Sequence, residues 1–387
     1  MSDAERVVIV GAGAAGLSTA AALSRRGIDA LVLDRDDQIG GSWARRYERL
    51  HLHTIRRFSG LAHYPIPRDS PRYLSKDDYA GYLANYAQRF RLRVSLGERV
   101  AAIRPARDPG LPWEVETSRR RLRAEVVILA TGHYTDSRIP DWEGIDSFGG
   151  RLLHSAEYRT GREFVGQRAL VVGLGNSGAE IATDLVEQGA ASVSVAVRTP
   201  PPIVTRELFG VVPVQVFGIA LMPLRIPRVV DRVGAALRRI GVGDLRRYGI
   251  EKAAWGPFTA RRPAVIDVGF LEVLKGGRVT VRPALRRLTP RGVEYADGSS
   301  EEVDVVVAAT GFDTGLVEML RKVSGIVGGD GQPLARSGKA TAAPGLYVIG
   351  FDETVRGHLF EARRESKRLA RTVARLLRQN GSGTSSA

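Results

Sequence analysis

Short, uninterrupted apolar runs punctuate this chain, of the kind that parallel sheets bury on both faces. They occur at "RVVIV" (6–10) and "ALVLD" (30–34), and again at "RALVVG" (168–173) and "SVSVAVR" (192–198). Between the members of each pair lies a small-residue stretch with helical spacing. The first is "GAGAAGLSTAAALSRRG", which stops at Gly27; the second is "NSGAEIATDLVEQG", which stops at Gly189. Each trio predicts a strand–helix–strand unit about thirty residues long. Tyr79, Leu83, Tyr86 and Phe90 recur at helical intervals and predict a helix over 76–90. Strand-like runs follow at 98–103, 113–117 and 125–130. After residue 278 strands resume at "RVTV", at "GVEYADG" with an Asp-Gly hairpin turn, at "VDVVVAATGF" and at "GLYVIGF". A helix over 358–378 is expected last, followed by a disordered Gly/Ser tail, 379–387.

Strands that resume after the second unit imply nesting. The pattern predicts an α/β fold of two Rossmann-like dinucleotide-binding domains, the inner (161–279) inserted into a discontinuous outer one (1–160 and 280–378). Within the inner domain, 205–245 departs from the pattern. "FGVVPVQVFGIALMPL" is apolar, and "RIPRVVDRVGAALRRI" is a basic amphipathic helix with Val229, Val233, Leu237 and Ile240 on one face. Packing as a lid over the active site is expected of this region, with attachment to an anionic membrane surface as the less favoured alternative.

The helix starts carry the chemistry. Gly11, Gly13 and Gly16, with Ala14 beside them, have the dinucleotide spacing: a tight turn, a close approach of backbone to pyrophosphate, and close helix–strand packing. The helix N-terminus offers free N–H groups and partial positive charge to phosphate. Asp34, followed by Arg35, ends the second strand and is suited to a ribose hydroxyl. Gly173, Gly175 and Gly178 repeat the spacing, with Asn176 and Ser177 inside the turn. There Arg198 and Thr199 stand where the first unit places its acid. A guanidinium in that place grips the 2′-phosphate of NADP, which an acid would repel. An acid in one unit and an arginine in the other predict FAD in the first and NADPH in the second, side by side for hydride transfer. Two "ATG" turns, at 130–132 (with Thr131 and Gly132) and 309–311, bring further backbone near the cofactors, and Asp352 follows the last strand.

Bulk properties remove competing classes. A chain of 387 residues exceeds the usual size of one core, so two domains are expected. No apolar run reaches the ~18 residues that span a bilayer, and the first strand begins too early for a signal peptide, so a cytoplasmic location is expected. The net charge of +15, mostly arginine, comes without a nucleic-acid module. It is read as a solvated surface, or as attraction for phosphate-bearing cofactors and an acidic substrate. Cysteine is absent, which excludes disulfide exchange and thiolate zinc sites. His51 and His53 are close in sequence but lack a third ligand, so no metal site is expected. Oligomeric state is not legible.

Between the glycine motifs lies "FGGRLLHSAEYR" (148–159). Its Phe148, Gly150, His154 and Tyr158 match F-x-G-x-x-x-H-x-x-x-(Y/F), the fingerprint of flavin-containing monooxygenases, in the same place between the two motifs. "GGSW" (40–43, with Gly41 and Trp43), "GLGNSGAEIATDL", "ATGF" and "GLYVIGF" also resemble family segments, and the likeness runs over about residues 5 to 378. Baeyer–Villiger members carry tryptophan where this chain has Tyr158, whereas "YERLHLHTIRRF" (47–58) is similar to the YUCCA-type branch. The resemblance implies FAD and NADPH as cofactors, O₂ and a small molecule as substrates, and a flavin hydroperoxide as oxygen donor. It also places His53 near the flavin, where animal-type members have asparagine. It implies oxidative decarboxylation of a 2-oxo acid such as indole-3-pyruvate. N- or S-oxygenation of an amine or thioether is the alternative, and a flavin reductase or redox-responsive binding protein that transfers no oxygen is the other class. One departure stands out: where plant members have small residues, this chain has "GHLFEARRES", with bulky His358, Leu359 and Phe360. The fingerprint itself has two readings, a hinge with no chemical role or a polar contact from His154 at the domain connection.

Overall fold

In the computed structural model, which describes residues 3–108, 110–208, 210–222, 226–260, 262–352 and 354–383, the apolar runs form the parallel cores of two sheets. Across the first, Arg93–Ser95, Leu31–Leu33, Asp3–Val10 and Arg121–Leu129 lie side by side and parallel. The far edge of Arg121–Leu129 is shared. Its beginning pairs antiparallel with Trp113–Thr117, which pairs in turn with Val100–Pro105; its end pairs parallel with Leu346–Val348.

Alternation decides which face each side chain takes. Val7, Ile9, Val32, Val126 and Ile128 point toward three helices, Ala14–Ser24, Lys76–Arg89 and His358–Gly383. Val8, Val10, Leu31, Leu33, Val127 and Leu129 point the other way, onto Trp113, Val115, Leu316 and Ile326. Covering both faces explains why these strands read as unbroken apolar runs. The helix Lys76–Arg89 begins with a reciprocal cap, in which Ser75 and Asp78 satisfy each other's backbone N–H groups.

The second sheet orders Thr280–Arg282, Ser192–Ala196, Arg168–Val172, Val305–Ala308 and Arg151–His154, all parallel. This corrects the expected boundaries. Residues 151–154, 280–282 and 305–308, expected in the outer domain, are strands of the inner sheet. The antiparallel ribbon Leu285–Thr289, Gly292–Tyr295 and Ser300–Glu302, with its Asp297-Gly298 turn, packs on that sheet through Leu288, Val293 and Tyr295. An apolar run announces a buried strand, but nothing local states which open sheet edge will receive it.

Two other expectations change. The last helix continues to Gly383, past the expected end at 378, held there by a bond from Asn380 Nδ2 to Glu125 Oε1 (2.9 Å); residues 384–387 lie outside the described residues. The helix Pro227–Gly241 forms as expected, but Val229 and Val233 are 50% and 55% exposed while Val230 is buried. Its orientation is set by Asp231, which accepts the N–H groups of Phe258 and Thr259 at 2.9 and 2.7 Å, so the charged neighbour of Val230 faces inward. The side chains of Leu237 and Ile240 lie outside the described residues. The preceding helix, Val214–Leu221, packs on the first unit: Gln215 accepts from Ile55 N–H at 3.1 Å and donates to the Arg356 carbonyl at 2.7 Å.

Candidate dinucleotide cradles and their junction

The two glycine turns are built alike, atom for atom. Gly11 has φ +110° and Gly173 φ +104°, values that L side chains rarely adopt. A Cβ added at Gly11 would lie 2.5 Å from the Ala130 carbonyl oxygen, and one at Gly173 would lie 2.6 Å from that of Ala309. Added at Gly16 or Gly178, it would stand 1.8 or 2.0 Å from the carbonyl oxygen of Gly11 or Gly173. At Gly13 and Gly175, which cap the helices Ala14–Ser24 and Asn176–Glu187, an added Cβ meets nothing within 4 Å. Neither cap position has a side chain to receive the first N–H groups of its helix. The outer glycines of each trio are thus required by the fold, and the middle one leaves the cradle floor clear for a ligand.

The strand ends beside the two cradles differ. Asp34 accepts the N–H of Ala12 at 2.5 Å and of Asp36 at 2.9 Å. Burial pushes its carboxyl up, against those two bonds. Asp34 N–H reaches Ser95 and Val197 N–H reaches Arg282, both at 2.9 Å, so the true counterpart of Asp34 is Val197. Arg198 and Thr199 come one and two positions later and are exposed. Among the described residues Arg198 forms no ion pair. Arg35 donates to the Thr135 carbonyl at 2.8 Å. Asn176 is tied into the structure, accepting Ile266 N–H at 2.8 Å.

Around the first cradle, Gly40 (φ +77°) and buried Gly41 bring "GGSW" against the helix Lys76–Arg89, and Trp43 meets Tyr79 edge-on at 4.8 Å. The hydroxyls of Thr131 and Tyr79 are buried with no hydrogen-bond partner among the described residues. Gly132 has φ +73° and open space beside it. Asp352 accepts the Ser337 hydroxyl.

The fingerprint run joins the halves. Gly150 lies so close to the Asp304 carbonyl that an added Cβ would stand 2.5 Å from its oxygen. Phe148 packs on the ribbon side of the second sheet. His154, fully buried, accepts Ala156 N–H on Nδ1 (3.1 Å), so Nε2 donates to the Gly311 carbonyl (2.9 Å) in the second "ATG" turn. Burial lowers its pKa and keeps the ring neutral. Tyr158 donates to Asp184 of the second cradle helix at 2.7 Å, and Gly161 N–H reaches the same oxygen at 2.8 Å. These contacts fasten the connection to the second unit.

Sequence reasoning found His53 but missed what it meets. His53 Nε2 lies 2.7 Å from Glu180 Oε1, and Glu180 is buried in the second cradle helix. Tyr47 completes the group, in hydrogen-bonding reach of Glu180 and Ser177, its hydroxyl pushed well up by burial and then by Glu180. Arg46 lies over the rings of Tyr134 (5.3 Å) and Phe312 (5.1 Å), its pKa lowered by burial. A buried acid amid helix polar positions leaves no signal in sequence, because the same letter on the outer face would be unremarkable. His51 turns away to the Arg49 carbonyl, and no three metal-ligating side chains converge among the described residues. No described helix is long and apolar enough to cross a membrane.

Known proteins resemble this chain in sequence and fold. A family profile described as pyridine nucleotide-disulphide oxidoreductase matches residues 8–207; without cysteine, this chain has the fold of that description but not its disulphide. The indole-3-pyruvate monooxygenase YUCCA1 of Oryza sativa subsp. japonica is 36% identical, over 89% of this chain and 86% of its own. YUCCA6 of Arabidopsis thaliana, also an indole-3-pyruvate monooxygenase, is 34% identical over 96% and 91%. Among solved structures, a mutant flavin monooxygenase from Stenotrophomonas maltophilia is 25% identical, with a TM-score of 0.74 over 97% of this chain and 99% of that one. Twin cradles, the tethered run between them and these similarities lead to one conclusion: the chain belongs to the flavin monooxygenase family and is similar to its YUCCA-type members.

Proposed function

We propose that the first cradle holds FAD, the second holds NADPH, and the protein uses both with O₂ to oxygenate a small 2-oxo acid. The carrying observation is the pair of matched cradles, each with a cleared middle glycine and an uncapped helix start. The free N–H groups at Ala14 and Ala15 suit the FAD diphosphate, with Asp34 and Arg35 at its ribose. Gly41, Trp43, Thr131, Gly132 and Asp352 surround the remainder. In the second cradle Ser177 and the Asn176 backbone face the NADPH diphosphate, and exposed Arg198 and Thr199 suit its 2′-phosphate. Bound together, these cofactors supply hydride transfer and the activation of O₂.

The chain's own residues hold, align and shield. His53, Glu180 and Tyr47 stand at the junction, where one unit's loop meets the other unit's cradle helix. The helix Val214–Leu221 and its contacts to Ile55 and Arg356 close the first unit and help exclude water, the condition under which activated oxygen reaches substrate. Similarity to two indole-3-pyruvate monooxygenases supports the 2-oxo acid class, and the +15 charge favours anionic ligands. Phe360 packs edge-on to Phe58 at 6.0 Å in the run where the family resemblance implies small residues, which favours an acid other than the indole compound.

The test is NADPH consumption across a panel of 2-oxo acids, amines and thioethers, with product masses and CO₂ measured. A 2-oxo acid should raise consumption and release CO₂ stoichiometrically. Consumption that no substrate alters, with all O₂ recovered as H₂O₂, would leave a flavin reductase instead.

A further inference from the structure

The last strand of the first sheet carries the chain to the mouth of the first cradle. A Cβ added at Gly350 would stand 2.7 Å from the Cβ of Ala15, in the first turn of the cradle helix, and Asp352 follows two residues on. Behind this turn the C-terminal helix presents Glu365, which is 3% exposed. Its Oε2 receives a long bond from Gly350 N–H (3.4 Å). Its Oε1 is buried and meets no donor among the described residues. The group within hydrogen-bonding reach is another carboxyl, that of Asp352.

Two ionised carboxylates only accept hydrogen bonds. Glu365 is buried and Asp352 half-buried with one bond from Ser337, so ionising Glu365 would set a second, unsolvated negative charge against the first. Among the described residues neither carboxyl forms an ion pair. The cradle helix packed against Glu365 has no titratable side chain. Glu361, on the same helix, adds negative charge and is itself held by Thr354 (2.8 Å) and Arg356 (2.6 Å). From the short helix Arg56–Ser59, Arg56 bonds the Ser70 carbonyl at 2.7 Å and Arg57 lies over Phe58 at 5.7 Å. Arg368 is engaged by the Ser337 carbonyl.

We propose that Glu365 is a positioning residue that keeps its proton at neutral pH and donates it to Asp352, so that the pair meets bound FAD as one fixed monoanion. This rests on the first cradle being the FAD site. Burial first, and Asp352 second, push the Glu365 carboxyl up to about 8. Above that pH a second negative charge arises beside the FAD diphosphate, and FAD binding becomes linked to the retained proton.

Flavin fluorescence titrations of the full chain at pH values from about 6 to about 9.5 test this. Wild-type protein should hold FAD with constant affinity below the shift and lose up to roughly tenfold per pH unit above it. Glu365→Gln keeps a donor toward Asp352 but cannot ionise; it should match wild type at neutral pH and show no alkaline loss. Glu365→Leu should bind FAD more weakly at every pH, without the slope. A flat wild-type profile, or the wild-type slope persisting in Glu365→Gln, overturns the proposal. Infrared spectroscopy of the wild-type protein reads the proton directly. A protonated-carboxyl stretch should be present at neutral pH and vanish as pH rises through about 8, and its absence at neutral pH overturns the proposal even if the variants fail to fold. Failure to retain FAD at any pH, with that stretch present, would instead defeat the cradle assignment.

Discussion

Glycine is asked for different things at neighbouring positions, and substitution can tell them apart. At Gly13 an added methyl meets nothing in the protein, so Gly13→Ala should fold with unchanged melting temperature and lose at least about tenfold in FAD affinity through the diphosphate approach. At Gly16 the same methyl meets a carbonyl oxygen at 1.8 Å. Gly16→Ala should therefore lose stability, by about 3 kcal/mol or more in a urea titration, whether or not FAD is added. Equal behaviour of the two variants would remove the distinction. Arg198 belongs to the same scale. Charge-assisted bonds contribute about 1.5–3 kcal/mol, so Arg198→Ala should cut the preference for NADPH over NADH by roughly tenfold to a hundredfold in KM. An unchanged preference would place the 2′-phosphate elsewhere.

Among elements, the connection from strand Arg151–His154 to the second cradle helix is held by one buried carboxylate. Asp184 receives both Tyr158 OH and Gly161 N–H. Tyr158→Phe removes one donor and leaves Asp184 half satisfied, which should cost about 1–3 kcal/mol of unfolding free energy. If the run serves packing, kcat at a temperature where the variant is folded should stay within about threefold of wild type. A large fall in kcat at unchanged stability would assign the fingerprint a chemical role. The junction of His53 with Glu180 makes the same point from the other side: a loop of one unit is fastened to a helix of the other, so the two cradles are set relative to each other by side chains far apart in sequence.

For the molecule as a whole, Glu365 should shape stability against pH. Its carboxyl lies above its ordinary value of 4.5 in the folded state, so the native protein holds a proton that the unfolded chain releases. That contribution is complete below pH 4.5 and is lost as pH rises through about 8. The melting temperature of the wild-type protein should therefore fall on the alkaline side, and Glu365→Gln should flatten that limb. Parallel curves for the two proteins would mean that the group is already ionised.

How much of this was legible in the residues follows from the range of each interaction. The cradles are local: a turn, a helix start and a strand end lie within some thirty residues, and glycine spacing alone determines where backbone crowds backbone. The residues by themselves also determined the repeat of that unit, the exclusion of thiol chemistry and the run between the motifs. Tertiary structure alone decided the rest. Which sheet received Val305–Ala308 and Arg151–His154 depended on an open strand edge supplied from elsewhere in the chain. That Val197, and not Arg198, is the counterpart of Asp34 emerged only from the bonds to Ser95 and Arg282. Glu180 and Glu365 acquired their properties from partners more than a hundred residues away or across a turn, because burial and a facing acid are conditions of space, and a sequence orders residues along only one dimension.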